Sequence, residues 1–129
     1  METSARSRFP DRKISETFLS FAEPLLQDLP AKGLVRHVDK ALRVAYTAWN
    51  AVVFADVLGE DRYLADARQR LGIDPVALAL VETLILRKRA LFGDDARLIG
   101  TYEVRKTADG FNVRADARDP YTVRPCHLQ

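Results

Sequence analysis

A chain of 129 residues with 47% hydrophobic and 29% charged side chains is long enough to bury one core and too apolar to stay disordered. Twenty basic and 18 acidic residues leave a formal net charge of +2, well short of the basic excess of a domain built to grip phosphate backbones. The single cysteine, Cys126, excludes an internal disulfide and a cysteine-based zinc site, and fits a reducing, cytoplasmic setting.

Residues 1–12 are polar and basic, with Arg6, Arg8, Arg12 and Pro10, and read as a flexible arm without the apolar stretch of a secretory signal. One domain is expected over 13–119, followed by an irregular tail over 120–129. The class is mainly α with an α+β character: a bundle of four to five helices ending in an antiparallel β-hairpin at about 97–118.

Ile14, Phe18, Phe21, Leu25 and Leu29 recur at helical spacing and predict a first helix with one apolar stripe. Pro24 lies inside it and deprives the Ser20 carbonyl of its helical donor, so a kink or a break into two short helices is expected there. Pro30 and Gly33 mark the stop.

The second helix is predicted over 34–58, with Leu34, Val38, Leu42, Ala45, Trp49 and Val52 inward. From Ala45 to Ala55 its polar face nearly vanishes. A helix without a polar face is covered on more than one side, so this stretch is expected at the centre of the fold or in a subunit interface.

A short third helix follows over 61–71, with Tyr63, Leu64, Ala67 and Leu71 inward. Asp74-Pro75 is a start signal for a fourth helix reaching about Phe92: an N-cap acceptor, then a proline where no amide hydrogen is needed. Its run 76–86 is too short to cross a membrane and contains Glu82, and Leu80, Leu84 and Leu91 are placed on its inner face with Ala77 and Lys88. The period then becomes two. Leu98, Gly100, Tyr102 and Val104 alternate with Ile99, Thr101, Glu103 and Arg105, and Phe111, Val113 and Ala115 repeat the pattern after a turn at Asp109-Gly110. The expected apolar face of the hairpin is Leu98, Tyr102, Val104, Phe111 and Val113.

Catalytic chemistry has little to stand on. His37 and His127 belong to no metal-binding or general-base spacing, and Cys126 beside His127 lies in the expected tail. No glycine-rich phosphate loop exists, and the Glu60-Asp61 and Asp94-Asp95 pairs sit where carboxylates cap helices. No cofactor, no metal and no enzymatic activity are therefore expected.

Three functional readings remain. The first is a non-enzymatic interaction or assembly module acting as a homodimer, because the second helix, the fourth helix and the hairpin expose more apolar surface than one small chain readily hides. The second is a nucleic-acid-binding accessory protein using Arg87, Lys88, Arg89, Arg105, Lys106 and Arg114, against which speak the interleaved acidic residues. The third is a small-ligand pocket around Tyr46, Thr47, Trp49 and Asn50, polar residues in the most apolar part of the chain, whose structural alternative is an internally satisfied hydrogen-bond network. Asp56 nearby is expected to have a cationic partner such as Arg62.

Overall fold

The computed structural model describes residues 13–27, 29 and 35–122. Four helices are followed by an antiparallel two-stranded hairpin: α1 (Ile14–Leu26), α2 (Val35–Leu58), α3 (Arg62–Leu71), α4 (Pro75–Leu91), β1 (Leu98–Thr107) and β2 (Gly110–Arg118). The predicted arm over 1–12, Leu34, and the end of the chain with Cys126 and His127 lie outside the described residues. A single 3-10 turn, Pro120–Thr122, opens the segment expected to be irregular.

α2 is the central element, packed by α1, α3, α4 and β1. Every residue from Ala48 to Ala55 is buried, which places the stretch without a polar face at the centre of one chain. By length and composition α2 resembles a membrane span, a test that a buried core helix also passes, and 56% of its most apolar window is covered. On one side Phe18, Phe21, Leu42 and Trp49 pack with Leu84, Leu98 and Ile99. Phe21, Trp49 and Phe92 meet edge-on, with centroids 5.2–5.8 Å apart, a geometry that aligns ring edges with ring faces. On the other side Val52 and Ala55 meet Leu64 and Ala67 of α3 and Val81 and Ile85 of α4.

Of the two outcomes expected at Pro24, a kink or a break, the break does not occur: α1 runs through the proline as one helix. The proline stands in the last turn, where few intrahelical bonds remain to be lost. At the start of α4 the predicted cap is present: the Asp74 carboxylate accepts from the Ala77 amide at 2.8 Å, with Pro75 next.

The hairpin departs from strict alternation. Leu98 and Ile99 pair with Arg118 and Ala117, but Tyr102 pairs with Ala115, so two residues of β1, Gly100 and Thr101, oppose Asp116 alone. The Asp116 carboxylate holds this bulge, accepting from the Thr101 amide and hydroxyl, both at 2.9 Å. A Cβ at position 100 would meet the Asp116 carboxylate and the Arg118 side chain, which would have to shift to admit it. Its consequence is that Leu98 and Ile99 are both buried, whereas Ile99 was expected on the outer face. Phe111, expected inward, lies near the turn and is 37% exposed.

Candidate functional site

The polar residues of α2 that stand out in the sequence converge on the backbone of β1. Asn50 is buried, and its carboxamide pairs twice with one residue: Nδ2 donates to the Ile99 carbonyl and Oδ1 accepts from the Ile99 amide, both at 2.9 Å. The side chain thus takes the place of a neighbouring strand at the free edge of β1. One turn earlier, the Tyr46 hydroxyl donates to the Gly100 carbonyl at 3.3 Å. Trp49 Nε1 donates to the Arg97 carbonyl at 2.7 Å. The free edge of β2 is held in the same manner from α1. Ser15 Oγ accepts from the Ala115 amide at 2.8 Å and donates to the Ala115 carbonyl at 3.3 Å.

Tyr46, Thr47 and Asn50 also border a cleft of about 630 Å³ between α2 and α3, closed on the far side by Tyr63, Asp66 and Arg70. The volume suits a small ligand. Trp49 is on another side of the helix, fully buried, and does not line the cleft. The Thr47 hydroxyl donates to the Arg43 carbonyl at 2.9 Å, and Asp66 pairs with Arg70 at 3.1 Å. The polar groups of this wall therefore carry internal bonds. The Tyr102 phenol, wedged edge-on against Phe18 and near Tyr46, is pushed up to about 12, chiefly by burial and then by Asp39.

The basic triplet of α4 is engaged by partners within the chain. Arg87 crosses to the end of α1, donating to the Ser20 carbonyl at 2.8 Å and the Phe21 carbonyl at 3.0 Å. Lys88 is 3% exposed, donates to the Phe92 and Asp95 carbonyls at 2.8 Å each, and lies 4.4 Å from the centroid of the Trp49 ring. Burial lowers its pKa to about 8, against the upward pull of Asp95, Asp56 and Asp94. Arg89 grips Asp56 with two bonds at 2.8 and 3.0 Å, so the cationic partner expected for Asp56 is Arg89 and not Arg62, which lies 3.8 Å from Glu60. Of the hairpin cations, Arg105 pairs with Glu103 at 3.0 Å, while Lys106 and Arg114 are exposed.

Two features escape a linear reading. Asp95, beyond the end of α4, is buried and holds the Arg97 guanidinium with bonds of 2.6 and 2.9 Å. Together with Lys88 on the Asp95 carbonyl, this fixes the α4–β1 connection. The second is the outward side of α4. Its four charged residues all turn to neighbours: Glu82 to Arg68 of α3 at 2.6 Å, and Arg87, Lys88 and Arg89 as above. Exposed on this helix are Val76, Leu78, Ala79, Leu80, Thr83, Leu86, Ala90 and Leu91, together with Arg89 beside Asp56. Val76 is 81%, Leu86 66% and Leu91 64% exposed. Leu80 and Leu91, expected in the core, belong to this face because Val81, Leu84, Ile85 and Lys88 form the buried one.

Among the described residues no three His, Cys, Asp or Glu side chains gather as metal ligands. His37 is partly exposed on α2. No family model matches the chain, and neither a curated protein nor a solved structure is significantly similar to it.

Proposed function

We propose that this chain is a non-enzymatic assembly module that pairs with a second copy of itself through the outer face of α4. The observation that carries the reading is the inverted polarity of that helix. A surface helix ordinarily turns its charges to water and its apolar stripe to the core. α4 ties all four charges to partners within the chain, Lys88 in the core, Arg87 to the α1 carbonyls and Glu82 and Arg89 to the partly exposed Arg68 and Asp56, and leaves a mostly apolar face outside. Exposed apolar side chains scattered singly need no explanation, but a contiguous set over four turns marks an interaction surface.

The basis is narrower than the sequence alone implies. The apolar stretch of α2 is enclosed, and the hairpin is tied to α1 and α2. α4 is the part of the expected surplus that remains uncovered. A homodimer is favoured over a charged partner because the exposed side chains are mostly apolar and the cations of the helix are already engaged within the chain.

Light scattering on the full chain at micromolar concentration tests the proposal. A particle of twice the chain mass supports it. A chain-mass particle for the wild type, unchanged in Leu86→Glu, contradicts it.

A further inference from the structure

We infer that the cleft between α2 and α3 binds a small planar aromatic carboxylate, its ring at the Phe54 end and its carboxylate at Arg70. The inference goes beyond the assembly reading and does not depend on it.

Residues 59–61 join α2 to α3, and the two helices pack side by side. The cleft of about 630 Å³ between them therefore has two ends of different chemistry. Phe54 and Tyr63, nearest the connection, line one end. Thr47 and Arg70, each seven residues away along its own helix, line the other, with Gln69 beside Arg70. Seven residues of helix span about 10 Å. Ala51 and Ala65 line the stretch between, and their small side chains leave room there.

The end next to the connection is aromatic. The Phe54 and Tyr63 rings lie 4.6 Å apart at an interplanar angle of 31°, close enough to parallel to form a stacked wall. The cation at this end is engaged: the Arg62 guanidinium lies 5.1 Å from the centroid of the Tyr63 ring and 3.8 Å from Glu60. A flat apolar ring is what this end accommodates.

The far end holds the donors. Arg70 Nε is 3.1 Å from an Asp66 oxygen, but among the described residues the Arg70 guanidinium makes no directed hydrogen bond. Its N–H fork is thus available to a carboxylate, which it matches in plane and spacing. Gln69 is exposed beside it. Asn50, one turn along α2 from Thr47, gives the Ile99 carbonyl one of its two Nδ2 hydrogens and keeps the other. The charged groups lining the cleft are two guanidinium groups and the Asp66 carboxylate, a surplus of one positive charge. That balance suits a monoanion, and the length suits two fused rings bearing one carboxylate.

Two-dimensional ¹H–¹⁵N spectra of the full chain, titrated with 2-naphthoate and separately with the uncharged 2-naphthylmethanol, test the inference. Naphthoate should produce saturable shifts centred on the Phe54, Tyr63 and Gln69 amides and the Asn50 side-chain amide. It should bind about tenfold more tightly than the alcohol. Arg70→Gln is expected to erase that preference, whereas Arg105→Gln, which removes the same charge from the hairpin, keeps it. Ala65→Trp, at an exposed position, should fill the cleft and abolish binding of both compounds with the unfolding midpoint unchanged. Leu86→Glu should bind naphthoate as the wild type does, which separates this result from the pairing of α4. The absence of saturable shifts at these residues up to about 1 mM naphthoate overturns the inference. So do shifts centred on α4, or a preference for naphthoate that survives Arg70→Gln.

Discussion

The Arg87 guanidinium donates to the Ser20 carbonyl, the acceptor that Pro24 leaves without its helical amide four residues on. A buried carbonyl without a donor costs about 1–3 kcal/mol, and Arg87 supplies the missing hydrogen bond from a helix 67 residues away in sequence. Arg87→Met is expected to lower the unfolding free energy by roughly that amount. Pro24→Ala restores an amide donor to Ser20, so it should recover much of the loss in the Arg87→Met background. Urea unfolding of the four proteins of this double-mutant cycle measures the coupling. Strict additivity would show that the two residues do not share the carbonyl.

Asn50 serves as a one-residue substitute for a third strand. Asn50→Leu keeps the volume and strands both the amide and the carbonyl of Ile99, for an expected loss of about 2–4 kcal/mol. Hydrogen exchange at the Ile99 amide is expected to quicken in this variant, while the amides in the middle of α4, held by that helix's own ladder, should follow only the global loss of stability.

Lys88 makes stability depend on alkaline pH. Its folded pKa, about 8, is below the ordinary lysine value of 10.5 because burial disfavours the ammonium. Between these values the unfolded chain holds a proton that the folded chain has released, so stability rises as pH climbs from about 8 toward 10.5. The full span is worth on the order of 3 kcal/mol. Tyr102 acts in the opposite direction above pH 10, since its pKa is raised in the fold to about 12 and stability is lost there as pH rises. Denaturation midpoints measured from pH 7 to 10 should therefore increase, and Lys88→Met should flatten that slope whatever it does to stability at neutral pH.

The elements were legible from the sequence because apolar periodicity is a local signal. The stripe Val38, Leu42, Ala45, Trp49 and Val52 is buried as its spacing implies, and Asp74-Pro75 starts α4. The failures share a cause: each depends on a partner distant in the chain. At Pro24 the choice between a kink and a break could not be read locally; α1 stays one helix, and the Ser20 carbonyl is met by Arg87. Ile99 turns inward because Gly100 and Thr101 form a bulge against Asp116. Leu80 and Leu91 lie outside because the buried face centres on Val81, Leu84, Ile85 and Lys88, turned toward α2 and α3, and Lys88 is buried there as expected, its ammonium met by the Phe92 and Asp95 carbonyls and the Trp49 ring. Of the four pocket residues, Tyr46, Thr47 and Asn50 share the cleft wall and Trp49 faces elsewhere, a division set by small angular differences around one helix. Of the triplet Arg87, Lys88 and Arg89, nothing in the local charge pattern told that each would be bonded to a partner within the chain.

Sedimentation velocity over a range of micromolar concentrations, for the wild type and Leu86→Glu side by side, bears most directly on the role given to α4. The wild type should move toward a dimer as concentration rises, and Leu86→Glu, which sets a carboxylate on an exposed position without touching the core, should stay monomeric with the same unfolding midpoint at low concentration. A wild type that remains a monomer throughout, or a dimer that Leu86→Glu leaves intact, would contradict the account.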